Sequence, residues 1–433
     1  MHYITSMNDQ SSLIERRDRV FGKGSTLFYD HPLHIVRGEG VFLFDAAGRR
    51  YVDLYNNVPC VGHANPRVVE AMTRAQSTLN THSRYLHEGI IQFAERYTAL
   101  HHEGIECVVF SCSGTEANEI ALQMARIATG RNGILCCAAA YHGNSTLVRE
   151  LTDVDPDQKT HGNVRSFPVP DPERLPEGIE RSNALAYYVS RTFAAIEELE
   201  RSAGGIAAVL ICPILANEGT PDVPAGFLRE VTTRVRRAGG LLIADEVQAG
   251  YGRTGRWWGY DVAGIRPDIV VTGKPMGNGV PLAATAASTD LLQRFRARTR
   301  YFNTCASSPL QAAVGLAVID EIDQRGLIAN ADVTGSKLRA ELQSRLGRWP
   351  TLGGVRGHGL FINVEIVTTA ARREPDPARA HQIVEALVRE GFLTNTNGPY
   401  ENQVKIRPPL VFADSQAREF LEAFDRVMDR LHA

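Results

Sequence analysis

Residues 241–255 read LLIADEVQAGYGRTG, and residues 268–279 read DIVVTGKPMGNG. Each opens on a short, nearly unbroken apolar run and closes in a glycine-rich turn. CVVFSCSG (107–114), GILCCAA (133–139) and GGIAAVLICPI (204–214) have the same character. Between them lie helical patterns such as TEANEIALQMARIATG (115–130), which stops at Gly130, and a segment around 226–238. Continuous apolar strands separated by amphipathic helices predict a mainly parallel sheet covered by helices on both faces. The expected fold class is therefore α/β, with a large domain over residues 63–310.

Outside that region the pattern changes. IVRGEGVFLFDAAGRRYVDL (35–54) alternates apolar and polar positions around a turn at Asp45–Gly48, as a β-hairpin does. LQAAVGLAVIDEI (310–322) starts a run of helices and short strands that ends in AREFLEAFDRVMDRL (417–431). Residues 1–62 and 311–433 are expected to form a smaller α+β domain.

The bulk composition narrows the function. With 47 basic and 49 acidic side chains in 433 residues, the net charge is −2. That balance speaks against nucleic acid or an acidic membrane as partner. The longest apolar run, 205–216, is broken by Pro213 and too short to span a bilayer. Residues 1–10 lack the basic and apolar regions of a secretory leader, so a cytoplasmic location is expected. The seven cysteines form neither a disulfide framework nor a zinc-binding pattern. DVDPDQKTHGNV (153–164) begins like a calcium loop but has Gln158 and Val164 where Gly and Glu are needed, so no metal is expected. His101–His102 reads as a solvated loop, and Trp257–Trp258 as packing or an interface.

Ligands bind open parallel sheets outside the carboxyl ends of strands, and here those ends carry unusual residues. After 107–111, Ser113, Gly114 and Thr115 lead into a helix. The turn suits an anion, which the helix dipole and free N–H groups favour, or a plain N-cap on Thr115. Asp245 and Glu246 end a buried strand, where carboxylates need partners: a protonated ring nitrogen for Asp245, or an arginine such as Arg253. Lys274 follows a third strand. It reads either as a desolvated Schiff-base nucleophile or as a lysine that snorkels to the surface. Tyr141 and His142 follow another strand and offer a ring for stacking. Anion cradle, carboxylate, lysine and ring together meet the needs of pyridoxal 5′-phosphate.

In order along the chain, DAAGRRYVDL, VGHANPRVVEA, SCSGTEAN, AYHG, LLIADEVQAGYGRTG, VVTGKPMGNGVPLAA and KIRPPL resemble the class III aminotransferases, pyridoxal-phosphate enzymes of fold type I. The resemblance implies that Lys274 forms the Schiff base with the cofactor and that Asp245 pairs with its ring nitrogen. Gly114 and Thr115 hold its phosphate, Tyr141 and Val247 cover its two faces, and Gln248 lies near its phenolic oxygen. It also implies a homodimer with shared sites, in which Thr304 of YFNTCASSP contacts the phosphate of the neighbouring subunit. The resemblance leaves both a dimer and a tetramer of paired dimers open.

Two departures bear on the reaction. Cys212–Pro213 stands where the family usually has Glu–Pro, and Lys405 stands where many members place an arginine that grips a carboxylate. A lysine is a point charge without the arginine fork. Lys405 and Arg407, two apart on a strand, can share a face and suit a phosphate. NNVPCVGHANP, LNTHSRYLHE, YFNT and NGPYENQVKIRPP resemble the phospho-lyase branch of the family, although ASSP (306–309) replaces its usual GGNP. Arg84 and Tyr85 are further candidates for the substrate phosphate. The expected activity is elimination of phosphate from O-phosphoethanolamine or a related small phosphorylated amine. The alternatives are a transaminase of amines or ω-amino acids, a lyase for a hydroxylated aminophosphonate, and a cofactor-binding protein without catalysis.

Overall fold

The computed structural model describes residues 7–154, 162–369 and 373–433. After a first helix (Met7–Phe21), three strands, β1 (Ile35–Glu39), β2 (Phe42–Asp45) and β3 (Arg50–Asp53), join as an antiparallel meander. The predicted turn at Asp45–Gly48 joins β2 to β3. Asp45 Oδ1 accepts the N–H groups of Ala47 and Arg49, and Gly48 takes φ +82°, which favours glycine.

The large sheet contains β4 (Cys107–Ser111), β5 (Gly133–Cys137), β6 (Val164–Phe167), β7 (Ile206–Ile211), β8 (Leu241–Asp245), β9 (Ile269–Thr272) and β10 (Ala283–Ala287). Their order in space is β4-β10-β9-β8-β7-β5-β6. The run from β9 to β6 is parallel, and β10 is antiparallel to both of its neighbours. All five strands read from the sequence are present. The two that escaped it are β10 and β6. β10 is AATAA, without one large β-branched or aromatic side chain. It is a strand because it lies wholly buried between β4 and β9, where small residues leave room for the helix above. Thr285 there donates to the carbonyl of Ala117 on the helix Gly114–Thr129 at 2.7 Å. Val164, which ends the would-be calcium loop, begins β6; residues 155–161 of that loop lie outside the described residues.

The remaining strands, β11 (Leu352–His358), β12 (Phe361–Ile366), β13 (Phe392–Leu393), β14 (Asn395–Asn397) and β15 (Gln403–Ile406), follow the long helices Pro309–Gln324 and Leu327–Gln343. β11, β12, β15 and β14 form an antiparallel sheet, while β13 pairs in parallel with β3. The amino- and carboxyl-terminal segments thus share a sheet. The link from Arg407 N to Leu54 O, 2.6 Å, extends that contact toward the large sheet.

Packing locks these layers. Gly315 lets the helix Pro309–Gln324 meet the ring of Phe93, where a Cβ would sit 2.3 Å from Cζ. His101 is not the solvated residue expected from the sequence. It stacks on Trp258 at 4.1 Å, because the large indole has a flat face to cover, and Trp258 Nε1 donates to Leu100 O. Trp258 itself is core packing, as expected. All seven cysteines are free. Among the described residues no helix is long and apolar enough to cross a membrane.

Candidate active site

The parallel sheet brings the carboxyl ends of β4, β5, β8 and β9 to one edge, where they surround a cavity of about 360 Å³. Ser113, Gly114, Thr115, Tyr141, His142, Asp245, Val247, Gln248 and Lys274 all line it. Nine sequence-predicted residues, spread over 162 positions of chain (113 to 274), therefore meet in one place.

At the end of β4 the N-cap is Ser113 and not Thr115. Its side chain accepts Glu116 N at 3.2 Å. Glu116 turns back to accept Cys112 N at 3.0 Å, and its other oxygen holds Tyr301 and Asn303. Because Ser113 serves as the cap, the first-turn N–H groups of Gly114 and Thr115 are left without intrahelical partners. They form an anion cradle. Gly143 leans on it closely: a Cβ there, at φ +143°, would lie 2.5 Å from Thr115 Oγ1.

Asp245 is buried at the end of β8 and accepts three polar groups. Oδ2 lies 2.7 Å from His142 Nδ1 and 3.0 Å from Asn118 Nδ2, and Oδ1 accepts Val247 N at 3.0 Å. Burial pushes its pKa up, but His142, Val247 N–H and the charge of Lys274 outweigh it and hold the carboxyl below its ordinary value. His142 Nε2 is buried without a partner. Glu246 points the other way, into the protein, and accepts Gly259 N and Tyr260 N at 2.8 and 2.7 Å. Burial pushes Glu246 up to about 8. Neither acid pairs with Arg253, whose guanidinium instead holds Asn57 and the carbonyls of Leu360 and Pro408.

Lys274 follows β9 and is exposed to the space of the cavity, while protein packs around it on its other sides. It has no hydrogen bond or ion pair among the described residues. That enclosure lowers its pKa below the ordinary lysine value, Arg407 adds to the effect, and Asp245 opposes it. The lysine does not snorkel to the outer surface.

Lys405 and Arg407 are both buried and face one way. Lys405 Nζ lies 5.8 Å and 5.9 Å from the ring centres of Tyr55 and Phe361; the Arg407 guanidinium lies 5.4 Å and 5.5 Å from the same rings. Arg407 donates to Tyr55 O from two nitrogens and to Gln248 Oε1 from the third. Lys405 Nζ has no acceptor among the described residues. Burial, Arg407 and Lys274 lower its pKa well below the ordinary value. Arg407 adjoins the cavity through Gln248, and Lys405 lies against the same two rings as Arg407.

Lys405 and Arg407 are not among the residues that line the cavity, and three further expected residues lie elsewhere. Thr304, Arg84 and Tyr85 are exposed and do not line this cavity. Arg84 sits 3.8 Å over the ring of Phe302, two residues before Thr304. Sequence reasoning missed the site role of Asn118, whose Nδ2 donates to Asp245 and to the carbonyl of His142, and Asn217, whose Oδ1 accepts Gln248 Nε2 and whose Nδ2 donates to Tyr141 O. Asn118 carried a signal, a polar residue on the buried face of its helix. Asn217, in an irregular connection, carried none.

The family model for Aminotransferase class-III matches residues 28–428. The chain belongs to the class III aminotransferases. It is 34% identical over 431 residues to "Alanine--glyoxylate aminotransferase 2-like" of Drosophila melanogaster, covering 96% of this chain and 86% of that one. It is 31% identical over 443 residues to "Ethanolamine-phosphate phospho-lyase homolog 1" of Caenorhabditis elegans, covering 98% and 94%. Among solved structures, a phospholyase from Arthrobacter in complex with phosphoethanolamine superposes with a TM-score of 0.92 at 39% identity, covering 96% of this chain and 99% of that one. The fold is that of a fold-type-I enzyme and the cofactor of this class III chain is pyridoxal phosphate. The cavity fits it: N–H groups for a phosphate, a buried carboxylate for a ring nitrogen, and an unpaired lysine for an aldehyde.

Proposed function

We propose that the protein is a phospho-lyase that removes phosphate from O-phosphoethanolamine or a similar small phosphorylated amine, yielding an aldehyde, ammonia and inorganic phosphate. The observation that carries this reading is Lys405 beside Arg407: two buried cations with no carboxylate partner among the described residues, next to the cavity that holds Lys274. Two such charges are costly without an anion. A phosphate dianion balances both, whereas a monoanionic carboxylate balances one. The Arthrobacter neighbour, solved with phosphoethanolamine, supports the same substrate class.

When bound, the cofactor supplies an electrophilic carbon and an electron-withdrawing ring. Asp245, held ionised by His142 and Asn118, keeps the ring nitrogen protonated. Gly114 and Thr115 N–H and the Ser113 hydroxyl would hold the cofactor phosphate, and Tyr141 and Val247, which line the same cavity, would confine the ring. Gln248, held by Asn217 through its amide nitrogen and by Arg407 through its oxygen, would lie near the phenolic oxygen. Lys274 Nζ, with its pKa lowered, takes the proton from the carbon that bears the substrate nitrogen. Lys405 and Arg407 hold the phosphate on the next carbon, from which it departs with the bonding electrons. Water completes release of the aldehyde and ammonia.

The exposed Thr304, with Arg84 and Tyr85 near Phe302, fits a homodimer in which this loop completes the site of the other subunit. A transaminase is the second reading, favoured by the name of the Drosophila relative. Purified enzyme and O-phosphoethanolamine, without keto acid, separate the two. Release of phosphate and ammonia supports the lyase; none, with keto-acid-dependent conversion of ordinary amines, rejects it.

A further inference from the structure

A second cavity, of about 260 Å³, lies on the far side of the Asn217–Glu218 segment from the first. Asn217 lines the active cavity and Glu218 lines this one. Its wall also includes Tyr187, Tyr188, Tyr400, Arg174 and Gln403. Two acceptor oxygens here are buried and unpaired among the described residues, Glu218 Oε2 and Gln403 Oε1. Glu218 is 3% exposed and Gln403 5%. The two side chains come from neighbouring pieces of backbone, since a Cβ on Gly219 would lie 2.7 Å from Gln403 Oε1.

Buried acceptors normally find donors, and the Glu218 carboxylate, which meets only its own and Asn217's backbone N–H, has no counter-ion among the described residues. The cations nearby are already taken. Arg174 binds Glu365 Oε1 and the carbonyl of Arg373, both at 2.6 Å, and Arg356 binds Asp171 at 2.8 Å. Glu218 alone among the acids of this cavity has no cationic partner among the described residues. What the site lacks is a group that brings both positive charge and several N–H donors. The tyrosine rings suit such a group, because a cation is attracted to an aromatic face.

We infer that this cavity is a second ligand site, for a small primary ammonium ion bound between Glu218 Oε2 and Gln403 Oε1. The ligand is ammonium itself or a short primary amine; the shared chemistry is an –NH₃⁺ or NH₄⁺ donor. Burial, with Asp245 adding to it, pushes the unliganded Glu218 carboxyl up to about 8. A cation beside it restores the carboxylate, so binding near pH 7 releases a proton. Affinity consequently rises with pH up to about 8. The inference does not rest on the lyase reading.

The test uses holoenzyme whose cofactor has been fixed by borohydride reduction, so that amines cannot react there. Calorimetric titrations with ammonium chloride and with ethylammonium chloride, in two buffers of different ionisation enthalpy, are expected to show one saturable site and proton release. Which of the two binds tighter identifies the source. Tetramethylammonium, a cation without N–H donors, and sodium chloride are expected to show no such site. Glu218→Gln should weaken binding at least about tenfold and abolish proton release; Gln403→Met should weaken it at least about tenfold with proton release intact. The wild-type proton release stands as evidence even if one variant misfolds. Absence of saturable binding, equal binding of tetramethylammonium, or unchanged affinity in both folded variants would overturn the inference and leave the cavity to water.

Discussion

His142 Nδ1 lies 2.7 Å from Asp245 Oδ2, and Asn118 donates both to that carboxylate and to the His142 carbonyl. Three elements, the helix after β4, the loop after β5 and the end of β8, are thereby fastened at one carboxylate. Asp245→Asn keeps the shape but loses the charge that, in the proposed mechanism, keeps the ring nitrogen protonated. Turnover is expected to fall about 10²–10⁴-fold, as for loss of a proton-transfer function, with the fold intact by circular dichroism. A variant with wild-type kcat would contradict the assigned role.

In the proposed mechanism Lys274→Ala removes both the covalent anchor and the proton acceptor. The visible absorbance of the lysine-linked cofactor should vanish on reconstitution, and phosphate release should drop at least about 10²-fold. Survival of that band would place the anchor on another lysine.

Gly143→Ala puts a methyl 2.8 Å from Thr115 Cα, so the anion cradle must move. Cofactor affinity, measured by fluorescence quenching on titration of apoenzyme, is expected to weaken at least about tenfold, the loss of one charge-assisted hydrogen bond. Unchanged affinity would show that the cradle is not where the phosphate sits.

Lys405→Met should raise KM for O-phosphoethanolamine about 10–100-fold while leaving the cofactor spectrum unaltered. Because burial, Arg407 and Lys274 depress the Lys405 pKa, its positive charge is lost as pH rises, and wild-type KM should climb on the alkaline side. In Lys405→Met that alkaline rise should flatten. An equal effect on amines that lack phosphate would argue for a structural role.

Mixed dimers test the shared site. Lys274→Ala and Thr304→Ala chains, refolded together, should regain activity that neither homodimer has, since one of the two sites then holds an intact Lys274 and an intact Thr304. Without sharing, mixing restores nothing.

Much of this site was legible because strand ends can be read one at a time. An apolar run followed by Ser–Gly–Thr, by Asp–Glu or by Gly–Lys marks its own carboxyl end, and a parallel sheet sends all such ends to one edge. β10 was not legible. AATAA carries no strand signal, and only burial between two neighbours makes it one. His101 was misread for a related reason: nothing near it in sequence announces Trp258, the ring on which it stacks.

The sequence by itself determined the α/β class and the cofactor, and it pointed to the strand ends that bring Lys274, Asp245, Ser113, Gly114 and Thr115 to one cavity, because each strand end is a local pattern. Tertiary structure decided which partners those residues have. It set His142 rather than Arg253 against Asp245, made Ser113 rather than Thr115 the cap, and kept Arg84, Tyr85 and Thr304 out of this chain's cavity. It also buried Lys405, Arg407 and Glu218 without counter-ions among the described residues. The physical reason is that the cost or benefit of a charge depends on everything within a few ångströms, and those neighbours come from distant parts of the chain.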